Sequence, residues 1–66
     1  MYKAIIIDDE AKARRLLQVL IEENCPELEI VAMAEDVPSA VKLIHQHKPD
    51  IVFSDIDMPQ YDGFQL

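Results

Sequence analysis

One cysteine, one glycine and no tryptophan stand in the 66 residues, and each scarcity closes off a class of function. Cys25 alone makes no internal disulfide and no cysteine-based metal site, which suits a reducing compartment and reads most simply as a small residue near a helix end. A single Gly63 leaves no glycine-rich phosphate loop, and no Ser or Cys nucleophile stands with a paired base. Tyr2, Phe53, Tyr61 and Phe64 are too few and too dispersed for a nucleotide-stacking platform. Basic residues are scarce too: Lys3, Lys12, Arg14, Arg15, Lys42 and Lys48 are scattered among thirteen acids, for a formal net charge of −7. Phosphate backbones and anionic lipids are held by clustered Lys and Arg, so the charge argues against direct binding of this segment to nucleic acid or anionic lipid. Nothing approaches the roughly 20 consecutive apolar residues that span a bilayer. No basic stretch, apolar run and small-residue cleavage site open the chain, so no export signal is visible and the cytoplasm is the expected location.

What remains is a short chain whose residues are half hydrophobic. It has room for one domain at most, and a free-standing domain of this size buries only about 60% of its unfolded surface. Residues 4–7, Ala-Ile-Ile-Ile, form a β-branched apolar run of the kind found in a strand buried on both faces of a parallel sheet. Over residues 11–23, Ala13, Leu16, Leu17, Leu20 and Ile21 recur at helical spacing, giving an amphipathic helix with one apolar stripe. Asn24 and Pro26 end it. Residues 28–34 read as a second strand. Asp36 is a helix N-cap with Pro38 suited to the first turn, and Ala40, Val41, Leu43 and Ile44 are the buried face of a helix running to about His47. Lys48-Pro49 stops that helix. Ile51, Val52 and Phe53 make a third buried strand closing at Ser54-Asp55, residues 56–63 read as a loop, and Phe64-Gln65-Leu66 opens another helix.

The order β-α-β-α-β with right-handed crossovers predicts an α/β fold with a parallel sheet and helices on its faces. In a doubly wound sheet the ligand site lies at strand C-terminal ends, where strand order reverses. With strand one between strands two and three, that point brings Asp8 and Asp9 toward Asp55. Two unit charges about 4 Å apart repel by about 4 kcal/mol at an effective dielectric of 20, so converging carboxylates call for a cation. Hard oxygen ligands select an ion such as Mg²⁺, which takes one or two carboxylates, waters and a phosphoryl oxygen. Such an ion neutralises charge on a transferring phosphoryl group, and Asp55, at the tip of a rigid strand, is the natural nucleophile.

Each acidic group has a plainer reading when taken alone. Asp8-Asp9-Glu10 suits a helix N-terminus, Asp55-Ile56-Asp57 suits a solvated loop, and Asp62-Gly63 suits a turn. Their joint placement at neighbouring strand ends favours a metal and phosphoryl site. His45 and His47, at a helix C-terminal end, read as surface groups favoured by the helix dipole, and Met33 and Met58 as packing residues.

The run Ile-Ile-Ile-Asp8-Asp9-Glu10, the later Lys-Pro-Asp50-Ile-Val-Phe-Ser-Asp55-Ile-Asp57-Met58-Pro59 and the closing Tyr-Asp62-Gly63-Phe resemble the receiver domains of two-component response regulators. The resemblance covers the whole chain. It implies a flavodoxin-like doubly wound sheet with strand order 2-1-3, and a phosphohistidine on a sensor histidine kinase as phosphoryl donor. It also implies Asp55 as acceptor, and Mg²⁺ held by Asp9, Asp55 and the backbone carbonyl of Asp57, with Asp8 acting through a bound water. Met58, Pro59 and Gly63 would shape the loop after the acceptor. Asn24-Cys25-Pro26-Glu27-Leu28, Asp-Ile-Asp-Met-Pro and Gly-Phe-Gln-Leu are similar to the LytR/AgrA-type transcriptional regulators, whose DNA-binding output domain follows the receiver. The module would then be a signalling phosphoacceptor and not an enzyme.

On the same resemblance residues 1–66 are the N-terminal half of a receiver. Two further strands, carrying a hydroxyl residue that senses the phosphoryl group and a lysine that contacts it, are absent, and none of the lysines here takes that role. The third strand would be left with an open edge, and self-association through it or pairing with the missing half is expected. Two other readings stand beside this one. Asp55-Ile56-Asp57 resembles the nucleophile motif of haloacid-dehalogenase-like phosphatases, although Met58-Pro59 follows where Gly-Thr-like residues are usual. A receiver-like interaction module that is never phosphorylated is the other.

Overall fold

The computed structural model describes residues 1–55. Five elements follow one another: β1 (Tyr2–Ile7), α1 (Ala11–Asn24), β2 (Leu28–Ala34), α2 (Val37–His47) and β3 (Ile51–Ser54). The strands are all parallel and lie in the order β2-β1-β3, the doubly wound α/β arrangement that the sequence predicts. The turn and helix expected after Asp55 lie outside the described residues.

β1 is the centre of the molecule. Ala4, Ile5, Ile6 and Ile7 are all fully buried, because a strand flanked on both sides and covered on both faces has no solvent side, and an unbroken apolar run suits it. Ile5 and Ile7 share one face with Ala34 and Ala40, and Val31, Ala32, Leu43 and Ile44 pack around them. That layer is closed by α2. Ile6 projects to the opposite face, where α1 lies against β1 and β2. The two crossovers step in opposite directions across the sheet, so the same right-handed sense places the two helices on opposite faces.

β1 starts two residues before its apolar run. Tyr2 and Lys3 are exposed, yet they pair in register with Leu28 and Glu29. The register slips between Ala4 and Ile5, where Ile30 and Ala32 are the partners and Val31 is left as an extra residue. A bulge of this kind breaks the strict alternation of sides, which is how Val31 and Ala32, though consecutive, both reach the same core. At the other edge Asp50 clasps the start of β1: its N–H donates to the Lys3 carbonyl at 2.9 Å, and its Oδ2 accepts from the Lys3 N–H at 2.9 Å.

The apolar stripe expected on α1 is only partly covered. Ile21 is buried and Ala13 and Leu17 are half-buried, but Leu16 is 61% and Leu20 47% exposed. Leu17 and Ile21 form one row along the helix, and Leu16 and Leu20 form another about 100° around it at 3.6 residues per turn. Only the first row turns toward the sheet. Leu16, with Val19 and Met33, lines an open groove of about 630 Å³ instead. The helix stops as expected: the Asn24 side chain donates to the Leu20 carbonyl at 2.8 Å, and the Cys25 N–H to that of Ile21 at 2.8 Å.

α2 begins on Asp36, whose Oδ1 accepts from the Ser39 N–H at 2.8 Å, with Pro38 in the first turn. Hydrogen bonding to the backbone and side chain of Ser39 holds the Asp36 carboxyl below its ordinary value against the opposing effect of desolvation, with a lesser contribution from the charge of Lys42. Its other end is closed by Lys48 in the left-handed region, φ 49°. Among the described residues β3 forms a sheet edge, and Val52 is 37% exposed on it. No described helix is long and apolar enough to cross a membrane.

Candidate functional site

The sheet brings two strand ends together at its C-terminal edge. Ile7 stands opposite Ser54, so Asp8 and Asp55 are the next residue beyond each strand. The ladder runs on past the strands themselves: the Asp55 N–H donates to the Ile7 carbonyl at 3.0 Å, and the Asp8 N–H donates to the Ala34 carbonyl at 3.0 Å. Asp8 and Asp55 therefore leave the sheet side by side from a fixed backbone, although they are far apart in the chain. This is the juxtaposition that the switch-point argument predicts.

The acids at this edge divide by exposure. Asp8 is only 8% exposed. Its Oδ1 accepts from the Glu10 N–H at 2.9 Å, an Asx turn that carries the chain from β1 into α1. Asp9 and Asp55 are exposed, and among the described residues their carboxylates have no hydrogen-bond partner. Asp8 is turned inward by its bond to the Glu10 N–H, and Asp9, at the bend that follows, stands in solvent. The strand ends meet, but among the described residues no three acidic, histidine or cysteine side chains gather closely enough to hold an ion. A triplet of acids at a helix start also suggests a side-chain cap, and there is none: the N-cap position is Glu10, without a capping hydrogen bond.

The donor chemistry nevertheless suits a small hard cation. Mg²⁺ takes one or two carboxylates and completes its shell with waters and phosphoryl oxygens, and Asp9 and Asp55 are two exposed carboxylates on neighbouring strand ends. Asp8, already engaged with Glu10, stands one step back. Asp57, Met58, Pro59 and Gly63 lie outside the described residues.

One residue at this edge is not legible from the sequence. Arg14 reads there as a polar residue off the apolar stripe, but its Nη1 donates to the Asp8 carbonyl at 2.7 Å. A side chain bonding to a backbone carbonyl leaves no mark in residue pattern, because any residue has that carbonyl. The signal that was available is positional. α1 has no acidic residue in its first turn, yet Lys12, Arg14 and Arg15 crowd its N-terminal half, where the helix dipole disfavours cations. His45 and His47 sit in the last turn of α2, which leads back to the opposite edge of the sheet, away from these acids.

Comparison with known proteins agrees with this geometry. The family model of the response regulator receiver domain matches residues 4–66. An uncharacterized response regulatory protein of Vibrio cholerae is 48% identical over 65 residues, covering 98% of this chain and 25% of that protein. The protein-glutamate methylesterase/protein-glutamine glutaminase 2 of Nitratidesulfovibrio vulgaris is 40% identical over 63 residues, covering 96% of this chain and 17% of that protein. The transcriptional regulatory protein BtsR of Escherichia coli is 35% identical over 66 residues, covering all of this chain and 27% of that protein. The chain thus spans roughly a quarter or less of these relatives, and the match decides against the phosphatase reading of Asp55-Ile56-Asp57. With nearly its whole length matched and its two acidic strand ends paired across a 2-1-3 sheet, the chain belongs to the response regulator receiver domain family.

Proposed function

We propose that this chain is the phosphoacceptor segment of a two-component signalling protein, and that Asp55 takes the phosphoryl group of a phosphohistidine on a sensor histidine kinase. The observation that carries this reading is the exposed Asp55 carboxylate on a backbone tied to Ile7, beside the strand end that bears Asp8 and Asp9. An Asp55 carboxylate oxygen attacks phosphorus, the P–N bond to the imidazole breaks, and the imidazole nitrogen keeps the electron pair and takes up a proton. The product is an acyl phosphate. Asp9, Asp55 and the backbone carbonyl of Asp57 are the residues that would hold Mg²⁺, with Asp8 contributing through a water. Bound there, Mg²⁺ supplies charge neutralisation on the transferring phosphoryl oxygens. The chain itself fixes the backbone that carries the nucleophile, and positioning is most of what phosphoryl transfer asks of a protein.

The module would act as a switch in the cytoplasm and not as an enzyme. Its relatives bear the names of a methylesterase and of a transcriptional regulator, so the names do not point to one output. The resemblance to LytR/AgrA-type sequences favours transcription, with DNA contacted by residues outside this segment.

The test uses the complete gene product with a small phosphodonor or its kinase. Asp55 should be the labelled residue, the phosphate should be alkali-labile, and Asp55→Ala should abolish it. A stable phosphate on Ser54 or on a histidine would overturn the reading. In parallel, Asp9→Asn and Asp55→Asn should weaken Mg²⁺ binding, and Glu22→Gln, on the exposed side of α1, should not.

A further inference from the structure

We propose that Arg14 is the positioning residue of the acidic edge: through the carbonyl of Asp8 it fixes the peptide on which Asp9 is carried. The inference rests on the reading of Asp9 as a cation ligand given above. Its structural basis is the short turn between β1 and α1, in which the main chain on either side of Asp9 is tied down. The Asp8 N–H is held by Ala34, the Asp8 Oδ1 holds the Glu10 N–H, and the Glu10 carbonyl accepts from the Arg14 N–H at 3.0 Å. The Asp8 carbonyl, which belongs to the plane of the Asp8–Asp9 peptide, is held by the Arg14 guanidinium at 2.7 Å. A peptide unit is rigid. Holding its oxygen sets the direction of its N–H and the starting point of the Asp9 side chain, which has no restraint of its own among the described residues.

The residue type fits that task. The guanidinium is planar, permanently charged and carries five donors in a fixed fork, and a charge-assisted bond from it to a carbonyl is shorter and stronger than a neutral one. Its cost is also visible, since a cation in the N-terminal half of α1 opposes the helix dipole. A local rule broken with an evident gain nearby is the mark of a working position.

Two roles for Arg14 give opposite signs. If it were a countercharge only, removing it would leave the edge more negative and tighten cation binding. If it positions Asp9, removing it loosens cation binding, and supporting residues around a metal typically contribute 10- to 100-fold in affinity. The experiment uses the complete gene product and Mg²⁺ alone, titrated calorimetrically into wild type, Arg14→Met, Arg14→Lys and the exposed control Arg15→Met. We expect Mg²⁺ affinity to fall about 10-fold or more in both Arg14 variants and to hold in Arg15→Met. Amide hydrogen exchange in Mg²⁺-free protein supplies the independent readout: Glu10, whose N–H is held by the Asp8 Oδ1, should exchange faster in both Arg14 variants while Ile5 and Ile6 of β1 do not. Unchanged exchange at Glu10, or tighter Mg²⁺ binding in Arg14→Met, overturns the proposal. If wild type binds no Mg²⁺ at this edge, the reading of the site fails and the exchange comparison still decides what Arg14 does.

Discussion

Truncating Ile7 should destabilise the domain far more than an equal-looking change on β3. Ile7 is fully buried, and Ile7→Ala removes three carbons. At about 0.8 kcal/mol per buried carbon the transfer part alone is roughly 2.4 kcal/mol. A cavity contribution adds to it, and here the surroundings collapse poorly, because two of the core neighbours are Ala34 and Ala40, whose positions are set by backbone in β2 and α2. The total expected is about 3–4 kcal/mol, in the middle of the range for such truncations. Against a domain stability of about 5–15 kcal/mol that is a large fraction. Val52→Ala, at a side chain 37% exposed, should cost about 1 kcal/mol or less. Urea denaturation followed by circular dichroism measures both, with an unchanged slope confirming that the native state and not the unfolded chain has been altered. Equal losses for the two variants would refute the placement of β1 as the strand covered on both faces.

Three further outcomes test the local structure. Lys48→Gly should stabilise the domain by about 0.5–1 kcal/mol, since a residue at φ 49° pays a left-handed cost that glycine escapes; a loss in thermal melting would contradict the cap. Asp50→Ala should cost about 0.5–1.5 kcal/mol by removing the bond to the Lys3 N–H, and amide exchange at Lys3 should rise with it. The Asp36 carboxyl is held below its ordinary value of 3.8, so its cap contributes fully above that value and is lost as pH falls through the lowered one. The stability difference between wild type and Asp36→Ala should therefore be flat near neutrality and shrink in acid below about pH 4. A difference that grows on acidification would contradict the capping hydrogen bond.

Much of this architecture is legible in residue pattern, and the places where it is not have a common cause. The run of residues 4–7 announces a doubly covered strand because burial on both faces leaves an unmistakable composition. Asp36 and Pro38 announce a helix start because the backbone demands at that point are local. Tyr2 and Lys3 give no such sign, since their place in β1 comes from backbone pairing with Leu28 and Glu29 and not from burial. The extra residue Val31 is equally silent: an apolar strand reads the same with a bulge or without one. On α1 the spacing of Leu16, Leu17, Leu20 and Ile21 identifies a helix and its apolar side, but which row finds the sheet depends on where the helix docks. Arg14 and Asp50 escape for the reason that makes them useful, which is that each bonds to the main chain of another element.

The division of labour among the acids follows from the same geometry. A pair of carboxylates at the ends of adjacent strands is costly where water is excluded and cheap where it is not, because the effective dielectric sets the repulsion. The fold buries only one of them. Asp8 is inside, and its burial is made acceptable by the Glu10 N–H that its Oδ1 accepts and by the Arg14 charge against its own carbonyl. Asp9 and Asp55 stay in solvent, where their mutual repulsion is screened and their oxygens remain open to a ligand. The Asx turn makes this arrangement possible: one acid of the pair builds the turn, and the next, at its bend, is left in solvent. Were Asp8 exposed and Asp9 turned in, the Asx turn would be lost. The edge beside Asp55 would then carry its carboxylate one peptide nearer the sheet, with no guanidinium placed to fix it.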